Sequence, residues 1–216
     1  MPTVTYLILA HGEEQVFSLI NFISLHKQTN DKIMILNDPT TDEFLSKLKK
    51  YPVKVINHKL EQDYSAHRNQ ALQYIKTDYI FALDADEVPN IKLMQDIPKI
   101  IENKVDMVWI PRLNLFKGVK PIDALQCGWT LNGEVVNFPD PQTRLFRNRR
   151  GIRWVGKLHE RLKVDSKIHK VMELPMEQDY SIIHLKTIEK QIQDNINYMT
   201  KYSIEDNQGK ATDALL

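Results

Sequence analysis

Phe81-Ala82-Leu83-Asp84-Ala85-Asp86-Glu87 is the stretch from which the fold can be read. An apolar run of strand length, begun at Tyr79, stops abruptly in two carboxylates separated by one small residue, with a third acid beside them. Three neighbouring acids repel one another and raise one another's pKa unless positive charge sits among them. Two readings stand at this point. Hard oxygen donors at a strand end suit a divalent cation, Mg2+ or Mn2+, that shares substrate phosphates. Alternatively, the acids complement the dipole of a helix that starts after Pro89 and Asn90.

Upstream, further β-branched or aromatic runs at 4–10, 32–36 and 53–56 join 79–83 as expected buried strands. Between them, 13–26, 42–49 and 65–75 carry apolar residues at three- and four-residue spacing, as amphipathic helices do. Strands alternating with helices predict a parallel α/β sheet built from right-handed crossovers. Ligands of such a sheet bind at the carboxyl ends of its strands. The residues there are His11-Gly12, Asn37-Asp38 and Asp84-Ala85-Asp86, which one pocket can hold together.

Downstream, the pattern predicts a helix to about Asn103 and a single strand over 107–116. An irregular stretch follows over 117–141, punctuated by Gly118, Pro121, Gly128, Gly133 and Pro139, which reads as an insertion or lid. Strands at 143–147 and 152–155, a helix over 188–202 and a polar, mobile tail at 205–216 complete the reading. A chain of 216 residues fits one domain, expected over 1–204.

A net charge of +1 gives no global attraction to nucleic acid or membrane. The lone Cys127 permits neither an internal disulfide nor a cysteine zinc site, which suits a reducing cytoplasm. The N-terminal segment lacks the marks of a signal peptide, and no run approaches the roughly 20 apolar residues that a spanning helix needs. A soluble cytoplasmic protein is expected.

The motifs together resemble the inverting glycosyltransferases of family 2. The resemblance covers most of the chain and implies the GT-A fold: a three-layer α/β/α nucleotide-binding domain with a mostly parallel central sheet and an irregular acceptor-side second half. Residues 1–104 would then bind the nucleotide-sugar and 105–204 the acceptor. Asp84-Ala85-Asp86 matches the family's Asp-x-Asp motif, which implies Asp86 as ligand of Mn2+ or Mg2+ and Asp84 and Ala85 as nucleotide contacts. Ile33-Met34-Ile35-Leu36-Asn37-Asp38 resembles the second-strand segment, with Asn37 replacing its first acid. Asp38 is the candidate for base or ribose recognition, or else a helix cap. Leu9, Ala10 and His11 would contact the base. Arg68, in Ala66-His67-Arg68-Asn69, resembles the family's Arg-Asn pair below the diphosphate; its other reading is a helix arginine paired with Asp84 or Glu87.

Gln142-Thr143-Arg144-Leu145-Phe146-Arg147-Asn148 and Gly151-Ile152-Arg153-Trp154-Val155-Gly156-Lys157-Leu158-His159-Glu160 look like the signature of a bacterial and phage subgroup. Glu160 is then the candidate general base, because inversion requires a carboxylate to take the acceptor hydroxyl's proton, with His159 orienting it. The alternative is a strand-end surface ion pair. His184 sits where the family often places a late histidine near metal or diphosphate, and a satisfied core histidine is its other reading. Trp129 and Trp154 offer faces for a sugar, although large aromatics usually serve the core. Arg144, within a cluster that includes Arg147, Arg149, Arg150 and Arg153, could meet diphosphate or an anionic acceptor. His26, His58 and His169 fall in no ligand spacing.

The implied partners are a nucleotide-sugar, a UDP-sugar foremost, and an acceptor that is a saccharide, lipid-linked sugar, protein or modified DNA base. Two rivals remain in view. A nucleotidyltransferase could use the same acid pair, though the chain has no Gly-rich phosphate loop. A non-catalytic nucleotide- or sugar-binding module could keep the same fold.

Overall fold

The computed structural model describes residues 1–164 and 170–202; His169 and the expected tail at 205–216 lie outside them. The elements run β1 (Val4–Ala10), α1 (Gln15–His26), β2 (Lys32–Asn37), α2 (Asp42–Leu48), β3 (Lys54–Asn57), α3 (Tyr64–Leu72), β4 (Tyr79–Asp84), β5 (Glu87–Pro89), α4 (Ile91–Glu102), β6 (Met107–Ile110), β7 (Arg112–Lys117), α5 (Pro121–Cys127), β8 (Leu131–Asn132), β9 (Val135–Val136), β10 (Gln142–Arg147), β11 (Ile152–Val155), β12 (Arg161–Val164), β13 (Val171–Glu173), β14 (Ile182–Thr187) and α6 (Ile188–Lys201).

A seven-stranded sheet in the order β13-β6-β10-β4-β1-β2-β3 forms the middle layer. Its β4, β1, β2 and β3 are parallel, and β10 runs antiparallel between β4 and β6. Alternation along β1 shows why these strands read as continuous apolar runs. Tyr6 and Ile8 join a core with Val16, Leu19, Ile20 and Ile23 of α1, Phe44 of α2 and Leu93 and Ile97 of α4. Leu7 points the other way, to Ala71 of α3 and to Ile152 and Trp154 of β11. A strand covered on both faces must be apolar throughout. Each fully buried aliphatic side chain contributes about 1.5–3 kcal/mol relative to exposure.

Side-chain caps set the helix starts that aim residues at the strand ends. Thr41 accepts the Phe44 N–H, and Asp63 accepts the Ala66 N–H at 2.8 Å. The helix after Pro89 is capped by Asn90, which accepts the Lys92 N–H. Asp84 and Asp86 therefore do not supply its N-terminus, since β5 stands between them and it. That helix reading of the acids is set aside.

The single strand expected over 107–116 is two strands in different sheets. Pro111 separates them: it has no N–H for a ladder, while its carbonyl accepts the Ile182 N–H at 2.9 Å. After it the chain enters a second sheet, β5-β14-β7-β9-β8. The stretch 117–141 is likewise more regular than expected. Its breakers bound short elements, with Pro121 in the first turn of α5, Gly128 closing that helix at φ 67° and Gly133 turning β8 into β9 at φ 62°. The hairpin pairs with β7 through β9.

Candidate active site

β1, β2 and β4 deliver His11, Asp38 and Asp84-Ala85-Asp86 to one edge of the main sheet, and Asn114, Phe116, Val136 and His184 of the second sheet face the same space. Between them lies an open cleft of about 2620 Å³. Leu9, Ala10, His11, Asp38, Arg68, Asp84, Ala85, Asp86, Trp129, Arg144, Trp154, His159, Glu160 and His184 all line it. Every site candidate from the sequence therefore meets in one place, from elements as far apart as β1 and β14.

Alternating charge runs along the cleft floor. Glu160 Oε1 accepts from Arg68 Nε, and Arg68 Nη2 donates to Asp84 Oδ1 at 2.8 Å. Asp84 Oδ2 accepts from Arg144 Nη2 at 2.8 Å, and the same nitrogen donates to Glu87 Oε1 at 2.6 Å. Arg112 Nη1 reaches Glu87 Oε1 at 3.4 Å, and Arg112 donates to Asp140 from Nε and Nη2 at 3.0 and 2.6 Å. Glu87 is fully buried and also accepts the Asp84 N–H. Burial alone would raise the Asp84 pKa, but the Arg68 and Arg144 guanidiniums hold it well below the usual carboxylate range.

Arg68 and Arg144 are themselves buried, and Arg68 packs its guanidinium over the Trp154 ring at 4.9 Å. Among the described residues, Arg68 Nη1 and Arg144 Nε have no hydrogen-bond partner. Both nitrogens are shielded from solvent, so an anion meets them only if the surrounding side chains shift. Trp154 is only 4% exposed, and Arg144 is spent on Asp84 and Glu87, so neither offers the open sugar or acceptor surface expected of it. Trp129 is half-buried, edge-on to Phe116 at 5.5 Å.

Asp86 lies at the other end of the acid stretch. His184 Nε2 is 3.5 Å from Asp86 Oδ2, and Lys190 Nζ, in the first turn of α6, is 3.8 Å from it. Burial pushes the Asp86 carboxyl up, while His184 in its protonated form and Lys186 pull it down, leaving a net lowering. Among the described residues no group of three His, Cys, Asp or Glu side chains is arranged to hold a cation. Asp86 and His184 do bring one carboxylate oxygen and one imidazole nitrogen together, a donor pair whose chemistry would suit a divalent cation.

The rim at the ends of β1 and β2 is built by His11, whose Nδ1 lies 2.9 Å from Asp38 Oδ2, while Asp38 Oδ1 accepts the Leu60 N–H. Below them, His58 and His67 share one Nδ1···Nδ1 hydrogen bond of 3.1 Å. Burial, with His58 beside it, pushes the His67 pKa down to about 4, so that ring is neutral. The wall opposite is α6. Tyr198 packs edge-on to His159 at 6.2 Å and close to Tyr202, and burial raises the Tyr198 phenol to about 12.

Sequence reasoning gave no role to Arg112, Asn114, Asp140 or Lys190, and read Glu87 only as the third acid of its run and a candidate partner of Arg68. The first four carried no signal, since Arg112 follows the strand break at Pro111 and Asp140 lies between prolines in a stretch read as irregular.

The family model described as Glycosyl transferase family 2 matches residues 13–153. Among solved structures, S. aureus TarS is similar at 17% identity and a TM-score of 0.51, over 80% of this chain and 37% of that one. The 1–349 fragment of S. aureus TarS matches at 16% identity and a TM-score of 0.54, over 89% of this chain and 62% of the fragment. The same fragment in complex with UDP-GlcNAc matches at 16% identity and 0.54, over 86% and 59%. At these identities the likeness is one of fold, and the chain spans less than two thirds of each of these relatives.

Proposed function

This chain belongs to glycosyl transferase family 2 and has the GT-A fold, and on that premise we propose that it moves a sugar from a UDP-sugar to an acceptor hydroxyl with inversion, using a divalent metal. The observation that carries the reading is the arc of charge in the cleft: an acid-histidine pair for a cation at Asp86 and His184, the buried guanidiniums of Arg68 and Arg144 on either side of Asp84, and a carboxylate at Glu160. The similarity to a structure solved with UDP-GlcNAc supports the choice of nucleotide.

Asp86 and His184 would hold Mn2+ or Mg2+, which when bound supplies Lewis-acid stabilisation of the leaving diphosphate. Arg68 and Arg144, ion-paired on either side of Asp84, would supply fixed positive charge to the diphosphate in a site of low dielectric. Leu9, Ala10, His11 and Asp38 seat the nucleoside at the strand ends. Glu160 takes the acceptor's proton as its oxygen attacks the anomeric carbon through an oxocarbenium-like state, and His159 and Tyr198 wall that end against water. In this reading residues 1–104 serve the donor and 105–204 the acceptor within one domain.

A second reading places a modified DNA base as acceptor. It draws on β11 and β12, the strands that flank Glu160 in the chain, where exposed Arg153 stands directly opposite exposed Lys163. Like charges across a strand pair are unfavourable unless an anion meets them. Binding of DNA that weakens steeply with salt would favour that acceptor.

A panel of UDP-glucose, UDP-galactose, UDP-GlcNAc and GDP-mannose, assayed for Mn2+-dependent hydrolysis beside Asp86→Ala, tests the main reading. Turnover of one donor that disappears in the variant is the expected result. Silence with all four, together with no nucleotide binding by calorimetry, would leave a non-catalytic module.

A further inference from the structure

The side chains behind His184 carry information about which of its nitrogens faces the cleft. Asn114 is buried, and its Nδ2 donates to two groups, the Val136 carbonyl at 3.3 Å and Asp140 Oδ2 at 3.0 Å. A carbonyl can only accept. Asp140 also only accepts, because burial, which favours its neutral form, is outweighed by Arg112 and by the Asn114 bond, and its carboxyl stays ionised. The orientation of the Asn114 amide is therefore decided, and its Oδ1 is the atom left for His184 Nδ1, 2.9 Å away. An amide oxygen needs a hydrogen from its partner, so Nδ1 of His184 is the protonated nitrogen. In the neutral ring the lone pair is then on Nε2, the nitrogen 3.5 Å from Asp86 Oδ2.

We propose that Asp140 and Asn114 are positioning residues that fix the tautomer of His184, so that Nε2 presents a lone pair to a cation held jointly with Asp86. The proposal rests on the metal reading above and deepens it. Asp140 acts at one remove: anchored by Nε and Nη2 of Arg112, it pins the Asn114 amide, which in turn sets the ring. An outer partner of this kind orients the ligand and raises its basicity, and its loss typically lowers metal affinity 10–100-fold.

Two measurements test this. The first needs no variant: long-range 15N–1H correlation of the metal-free protein at a pH where the His184 ring is neutral, assigned with His184→Gln. The expected spectrum has the hydrogen on Nδ1; hydrogen on Nε2 overturns the proposal whether or not the protein is a transferase. The second is Mn2+ affinity, read by the free-ion electron paramagnetic resonance signal with UDP present, for wild type, Asn114→Ala, His184→Ala and the double variant. The expected outcome is a loss of about 10–100-fold for Asn114→Ala that vanishes in the His184→Ala background, with native circular dichroism throughout. An Asn114→Ala affinity equal to wild type, or a loss that persists without His184, overturns the positioning role. If His184→Ala itself leaves Mn2+ binding unchanged while the spectrum shows Nδ1–H, the metal reading fails and the tautomer assignment stands. Asp140→Asn is the second variant, expected to shift the same signals in the same direction.

Discussion

Replacing Glu87 with Gln removes one negative charge from the most deeply buried point of the cleft floor while keeping the size of the side chain. Glu87 has no exposed surface, and its Oε1 faces Arg144 at 2.6 Å and Arg112 at 3.4 Å. Breaking a buried ion pair by removing one partner costs about 3–5 kcal/mol, because the other charge stays buried without compensation. Here each guanidinium keeps a second carboxylate: Arg144 retains Asp84, and Arg112 retains Asp140 through two nitrogens. The expected loss is therefore below the full range, about 2–4 kcal/mol. In a protein of this size each kcal/mol lowers Tm by about 2–4 °C, so Glu87→Gln should melt about 5–15 °C lower. Urea unfolding followed by circular dichroism measures the free energy, and calorimetry the Tm. Combining Glu87→Gln with Arg144→Met should cost less than the sum of the two single changes, since the second removes a cation that the first left short of a partner. A single variant within 1 kcal/mol of wild type would refute the view that this carboxylate organises the floor.

Two further outcomes are expected. Glu160→Gln keeps an oxygen for the Arg68 Nε–H, so UDP affinity should persist while transfer falls by about 10²–10⁴-fold, the usual share of a general base; transfer at the wild-type rate removes Glu160 from that role. His67, neutral in the fold with a pKa of about 4, binds fewer protons folded than unfolded between pH 4 and about 6.5. Its contribution is thus full above that window and is lost as pH falls through it. Wild type should lose about 1–3 kcal/mol more than His67→Gln on going from pH 7 to 4.5, and equal losses would show that burial of this ring is not acid-sensitive.

The amino-acid sequence by itself determined the β1 to β4 half and its strand-end acids. Those strands are covered on both faces, so each registers as an unbroken apolar run, and Asp84 and Asp86 stand out where the run stops. By motif it also singled out Arg68 and Glu160, which both line the cleft, although not that one pairs with the other across 92 residues. The tertiary structure decided the rest. A single run at 107–116 conceals two sheets because hydropathy records burial and not which sheet supplies it; only the packing around Pro111 shows the switch. Arg144, singled out for diphosphate or an anionic acceptor, pairs with Asp84 and Glu87, and the link from Asp140 through Asn114 to His184 joins positions 26 and 70 residues apart. Periodicity is a local property, set by which face of an element meets the core. The partner of a buried polar group is set by where distant segments cross, and no spacing along the chain encodes that.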